Sequence, residues 1–361
     1  MSLYEEKKDI ALMGALCLFL SALDYLIPKP LPFMRIGLAN FPLLIALQFF
    51  SIKNFFLLAF VKVAGQALIT GTLFSYVLIF SLTGTALSAV TMALLYRRAS
   101  LVGTSIAGAF MSNVSQLVLA RFILFGDSIL FLTPPFLMAG IISGGLLGFF
   151  AMNFSEQSEW LKWKRENTIA GKRSVTLSSN DTIIGAYAVL HNVNNTLNLL
   201  RAGLSVFLAA VFLLVPQLPF RAALFLLFWF LAMVFKVKTR PLFTIISMAM
   251  ITLCNLFPPF GKVLLKAGPV IVAEGSLLLG LQRAVTMSGL IMFSRLALLS
   301  VHRLPGKFGA LLQECFGILD KMNSIFFGGN KKNSGSGTEK ISGGLIQKLD
   351  RLLCEISVVV R

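Results

Sequence analysis

The chain has 361 residues, 57% of them hydrophobic and only 13% charged, with a mean hydropathy of +0.83. A soluble domain of this size does not need that much apolar surface, and several runs reach the ~20 apolar residues that cross a bilayer. Composition therefore excludes an ordinary soluble protein and predicts an all-α polytopic membrane protein. The net charge of +17 does not indicate nucleic acid, because the basic residues collect in short loops between apolar runs, as positive-inside topology requires.

The first apolar run, about 10–27, follows Lys7 and Lys8 and imitates a signal peptide. Asp24, Tyr25 and Pro28 stand where a small-residue cleavage site would be, so it reads as an uncleaved first span. Ala11 and Ala15 give it an AxxxA face suited to close helix contact. Further spans are expected at about 36–51, 54–73, 75–96, 102–125 and 129–152, which makes residues 1–152 a six-helix domain. Gly65, Gly71, Gly84, Gly103, Gly108, Gly140, Gly144, Gly145 and Gly148 supply further small packing positions along it.

Composition changes at 153–198, where EQSEWLKWKREN and GKRSVTLSSNDT are polar and charged and predict an aqueous linker. A second membrane domain, 199–327, follows. Its spans are expected at about 202–216, 220–235, 241–257 and 284–301, with an amphipathic stretch at 270–283. LLQECFGILDKMNSIFF (311–327) has apolar residues at helical spacing and suits a helix on the membrane or on a partner. In the remaining segment, 328–361, GGNKKNSGSGT reads as a flexible linker and LIQKLDRLLCEI (345–356) as a second short amphipathic helix for partner docking. The side bearing Lys7, Lys8, Lys53, Arg97, Arg98, Lys162, Lys164 and Arg165 outweighs the side bearing Lys29, Arg35 and Asp127. Both termini are thus expected on the cytoplasmic side of the cytoplasmic membrane.

No GxxxxGK[ST] cradle for nucleotide phosphates and no clustered aspartates for a magnesium diphosphate occur. Two separated histidines and four dispersed cysteines predict neither a metal site nor a redox pair, and no cofactor is expected. The pattern indicates a protein that binds and moves a small molecule rather than an enzyme.

Polar residues inside the first six spans are few and helically spaced. Lys62 and Gln66 are four apart and share a face, with Thr70 and Thr72 near the outer end of that span. Asn113 and Gln116 are three apart, with Arg121 further towards the outside. Asn40 lies in the outer half of the second span and Arg35 at its mouth. Together, Arg35, Asn40, Lys62, Gln66, Thr72, Asn113, Gln116 and Arg121 predict an outward pocket for a ligand bearing amide, carbonyl, carboxylate or phosphate groups. The competing reading is structural: Asn and Gln join helices, Lys62 pairs with Asp24, and Arg35 snorkels to headgroups. Gln48, nearer the cytoplasm, is expected to bond a neighbouring helix.

The stretch from Pro28 to Gly148 resembles the Gx transporter family, also known as heptaprenyl diphosphate synthase component I. The resemblance rests on RIGLAN (35–40), Lys62, GTLFS (71–75), SLTG (81–84), Met92, Gly108-Ala109, Asn113, Gln116 and Ala120. The family has His-Asn where this chain has Ser112-Asn113. That family is similar to the substrate-capture (S) components of energy-coupling factor (ECF) vitamin transporters. The resemblance implies capture of a scarce nutrient from outside and packing of the first helix, through Ala11 and Ala15, on a transmembrane (T) component. The second half is similar to such a T component through EGSLLLGLQRAVTMSGLIMFSRLALL (274–299), which implies interface roles for Glu274, Arg283 and Arg295. No Ala-Arg-Gly or Ala-Arg-Ser coupling motif is present. The implied partners are the bilayer, a small-molecule ligand and ECF-type ATPase subunits. A flavin, a quinone precursor or an isoprenoid is the implied cargo. The alternative the resemblance allows is a non-catalytic membrane subunit holding a soluble prenyl diphosphate synthase or a flavin-binding redox partner.

Overall fold

The computed structural model describes residues 3–27, 37–170, 208–214, 217–237, 239, 241–257, 259–267, 270–299, 306–328 and 345–360. Arg35 and most of the expected linker lie outside them. Five helical stretches are long and apolar enough to cross a membrane: Lys7–Leu26, Ile52–Thr70, Tyr76–Leu95, Leu101–Gln157 and Glu274–Leu298. The fourth is two spans in one, because the chain doubles back at Gly126, which adopts φ +57°. Helices α1 (Leu3–Leu26), α3 (Ile52–Thr70), α4 (Tyr76–Leu95), α5 (Leu101–Ala120) and α6 (Ile129–Gln157) form the body of the first half.

The second expected span is not one continuous helix. Gly37 sits in the left-handed region at φ +91°, a 3-10 turn covers Leu38–Asn40, and α2 runs only from Phe41 to Ala46. Six helical residues rise about 9 Å, far short of the ~30 Å hydrocarbon core. The break has a local cause. Left-handed backbone is cheap only for glycine, and Pro42, lacking an N–H, belongs in the first turn of a new helix. All six α2 residues are buried, as irregular backbone at membrane depth must be. Gln48 accepts a hydrogen bond from Ser155 Oγ of α6 at 2.9 Å, so it does join a neighbouring helix.

Glycines set the helix spacing. A Cβ on Gly144 would lie 2.8 Å from the Ala109 Cβ and 3.0 Å from the Ile106 Cα, and one on Gly148 would lie 2.7 Å from the Val102 Cα. Antiparallel α5 and α6 therefore meet almost backbone to backbone, the small-residue packing that stands in for the hydrophobic effect inside lipid. Gly14 faces Val61 and Gly65 faces Leu18, which makes α1 and α3 parallel. The segment between them must return across the membrane, so the broken second span still crosses.

Beyond the first domain the chain stays helical further than its composition suggested. Helix α6 ends at Gln157 and α7 follows from Glu159 to Ala170. Lys164 of α7 pairs with Asp9 of α1 at 2.5 Å, both side chains being nearly buried. The second half contributes α8 (Leu218–Val234), α9 (Pro241–Asn255) and α10 (Glu274–Leu299). Two strands, β1 (Val263–Ala267) and β2 (Val270–Ala273), form an antiparallel hairpin before α10. The last span therefore starts at Glu274, not at 284, and 270–273 is strand rather than amphipathic helix: VIVA is β-branched and alternates poorly as a helix face.

Helices α11 (Gly306–Gly328) and α12 (Leu345–Val360) pack on the protein itself. Leu312, Cys315, Ile318 and Met322 of α11, and Leu349, Leu352, Leu353 and Ile356 of α12, join one buried cluster with α1, α2, α3 and Trp160 of α7. Asp350 of α12 caps α7, accepting from Ser158 Oγ and from the backbone N–H groups of Glu159 (3.1 Å) and Trp160 (3.3 Å).

Gly144→Ala should destabilise the protein by about 1–3 kcal/mol through overpacking, read as a lowered unfolding temperature in detergent. Gly145→Ala is the control. Its Cβ would meet nothing closer than the Ile106 Cδ1 at 3.8 Å, so it should be neutral or stabilising by up to about 1 kcal/mol.

Candidate functional site

All six membrane segments of the first half contribute to one internal polar cavity. Asp24 comes from α1; Gly37, Ala39 and Asn40 from the break in the second span; Lys62 and Gln66 from α3; Ser81 and Thr85 from α4; Ala109, Ser112, Asn113 and Gln116 from α5; Ser143 from α6. The cavity measures about 40 Å³, space for on the order of three water molecules at ~10–15 Å³ each. At that volume it is far smaller than a pocket that envelops a drug-sized ligand.

Local structure explains each placement. Lys62 and Gln66 are one turn apart on α3, and both are buried. The Lys62 ammonium donates to Asn40 Oδ1, tying α3 to the broken span. On α5, Asn113 Nδ2 donates to the backbone carbonyl of Phe136 at 2.8 Å, and Gln116 Nε2 donates to Ser112 Oγ at 3.1 Å. Two glycines make room for these amides. A Cβ on Gly140 would fall 2.2 Å from Asn113 Nδ2, and one on Gly84 would fall 2.9 Å from Gln116 Nε2. Two buried polar atoms on the cavity wall, Ser81 Oγ and Gln116 Oε1, have no hydrogen-bond partner. Such atoms cost about 1–3 kcal/mol each unless water or a ligand satisfies them.

Of the residues expected to form a pocket, Asn40, Lys62, Gln66, Asn113 and Gln116 converge on this chamber. Thr72 does not. It is buried at the α3–α4 corner, where its hydroxyl lies 2.8 Å from that of Thr70. Arg121 does not either. Helix α5 ends at Ala120 and a π-helical turn over Arg121–Phe125 swings the guanidinium to the surface, where it pairs with Asp127 at 2.8 Å. Sequence reasoning overlooked Ser81, Thr85, Ser112 and Ser143 as wall residues. Ser81 and Thr85, four apart around Gly84, carried the helical-face signal that could have found two of them.

Of the four sets of residues expected to join the halves, three do so and Glu274 does not. Ala11 and Ala15 are fully buried, and between them a Cβ on Gly14 would lie 2.8 Å from Cys315 Sγ of α11 and 3.1 Å from Val61 of α3. Burial pushes the Cys315 thiol up to about 12, so at neutral pH it is a neutral packing group. Arg283 of α10 donates to Asn255 Oδ1 at 2.6 Å and to the Leu124 carbonyl at 3.1 Å, and Asn255 Nδ2 donates to the same carbonyl at 3.1 Å. This clamp seats on the π-helical turn that ends α5, whose carbonyls lack regular helical partners. Arg295 donates to the Tyr25 hydroxyl at 2.8 Å, and the Phe74 backbone N–H donates to Ser294 Oγ at 2.9 Å. Glu274 is exposed at the first position of α10, and its N–H donates to the Lys262 carbonyl at 2.8 Å.

Fold and site define a polytopic α-helical membrane protein with a polar chamber inside its first six membrane segments. Residues 13–154 match the model of the family described as heptaprenyl diphosphate synthase component I. Residues 197–300 match a domain of unknown function, DUF8519. No curated protein and no solved structure matches the chain.

A double-mutant cycle tests the clamp. Arg283→Met and Asn255→Leu each strand buried polar groups around the Leu124 carbonyl. Their coupling in detergent unfolding should amount to about 0.5–3 kcal/mol; additive effects would mean that the two side chains act separately.

Proposed function

We propose that the protein is a membrane transport component in which the first domain captures a small ligand and the second domain supports its transfer. The observation that carries this reading is the convergence of Asn40, Lys62, Gln66, Asn113 and Gln116 on one chamber at the break in a membrane span. Helix glue would spread such residues over several contacts. Here they share a wall with two buried polar atoms that have no protein partner. Discontinuous membrane segments near mid-bilayer are a recurrent way to build transporter sites, because the freed backbone and side-chain groups can address a solute.

In this reading the protein sits in the cytoplasmic membrane with both termini cytoplasmic, and the chamber opens outward. The first domain acts as an S-like capture unit and residues 199–327 as a T-like unit. The packing of the AxxxA face on α11 supports that pairing, since it joins the first helix to the C-terminal region through small residues. A separate ATPase of the ECF type supplies the energy. Release follows when the first domain tilts against α10 and α11, a motion that must break the Arg283, Ser294 and Arg295 contacts. The family's description supports a second reading, a non-catalytic subunit that holds a prenyl diphosphate synthase or a flavin-dependent partner at the membrane.

Purification of the full chain in mild detergent, followed by denaturation and mass spectrometry, separates the two. The capture reading predicts a stoichiometric small molecule that is lost from Asn113→Leu and Gln66→Ala proteins that still elute as folded species. A protein that releases no small molecule, retains a soluble synthase and is indifferent to both substitutions would overturn it.

A further inference from the structure

The chamber's hydrogen-bonding polarity constrains what it can hold. The acceptor for Asn113 Nδ2 is the backbone carbonyl of Phe136, 2.8 Å away. A carbonyl cannot donate, so the amide must present its NH₂ there, and Oδ1 is left as the atom without a protein partner. One turn along the same face, Gln116 Nε2 is engaged by Ser112 Oγ at 3.1 Å, and Oε1 is buried with no partner. Gln116 is only 4% exposed. The α5 wall therefore offers the chamber two amide oxygens, both unpartnered acceptors, while one N–H of each amide is already engaged.

Charge narrows the class further. Among the described residues the lining holds one carboxylate, Asp24, and one ammonium, Lys62, which balance in formal charge. The Lys62 ammonium is turned to Asn40 Oδ1. An anionic head, whether carboxylate or diphosphate, would face the two unpartnered amide oxygens across the chamber. A cation would share the chamber with Lys62. An uncompensated charge in so small a space within the membrane is costly, whereas a neutral group loses little and gains bonds to otherwise orphaned acceptors. No aromatic side chain lines the chamber among the described residues.

Resting on the reading of the chamber as a ligand site, we propose that it takes an uncharged polar group rich in N–H or O–H donors, of which a primary amide is the simplest case. The donors of that group bond Asn113 Oδ1 and Gln116 Oε1, and the Ser81 hydroxyl, which can donate as well as accept, meets its carbonyl. This sets aside the diphosphate head as the group held in the chamber.

Saturation-transfer NMR on the full chain in lipid nanodiscs tests this with three probes of one shape and different charge: acetamide, acetate and acetamidinium. Wild type should transfer saturation to acetamide and not to acetate, and the acetamide signal should be lost in Asn113→Leu. Gln116→Glu is nearly isosteric and guards against misfolding. It should move the preference from acetamide to acetamidinium, because it places a second carboxylate on the wall. A signal from acetate that depends on Asn113, or silence from acetamide in wild type, overturns the neutral-donor assignment. Neither result touches the capture reading, which the mass of the released molecule decides separately.

Discussion

Everything in the first domain follows from one constraint: backbone that leaves the helical ladder inside a membrane must be enclosed by protein. Gly37 and Pro42 break the second span, and the break exposes polar groups at a depth where lipid cannot satisfy them. The remaining five segments close around it. Lys62 reaches across to Asn40, and the buried α2 fills the lower half of the crossing. The polar chamber is the space left at the break, so its position is dictated by backbone chemistry before any ligand is considered.

The glycine contacts serve the same end. Gly140 and Gly84 leave hollows that receive the Asn113 and Gln116 amides, while Gly144 and Gly148 draw α5 and α6 together below them. Their absent side chains thus aim the two amides as well as permitting close packing. Helix α10 of the second half then grips the corners of this bundle. Arg283 holds the turn after α5, Arg295 the end of α1, and Ser294 the turn after α3. A chamber walled by α1, α3, α4 and α5 cannot widen far without disturbing these contacts, which links the state of the chamber to the second half.

Much of this was legible in the sequence. The pairs Lys62/Gln66 and Asn113/Gln116 stand out because a polar residue in an apolar helix needs a partner, and helical spacing puts each pair on one face. The AxxxA face was likewise visible as a contact face, whereas Arg283 and Arg295 entered only through the resemblance to a T component. The break at 37–40 was hidden because hydropathy averages over a window in which one glycine and one proline weigh little. Arg121 misled because a helix was extrapolated through 125, where a π-helical turn redirects the chain. The apolar faces of α11 and α12 were evident, but an amphipathic pattern shows that a face is covered without showing by what; here the cover is α1, α2 and α7. The hairpin before α10 was missed because nine strand residues beside a long helix scarcely alter composition.

The central claim, a chamber that opens to the exterior, is tested most directly by the accessibility of Ser143. A Ser143→Cys variant, with Cys17, Cys254, Cys315 and Cys354 replaced by serine or alanine, would be treated with a membrane-impermeant thiol reagent in intact cells and in inverted membrane vesicles. The account predicts labelling from the outer face only, slowed when the captured molecule is added. Labelling from the cytoplasmic face alone, or a rate unaffected by that molecule, would contradict it.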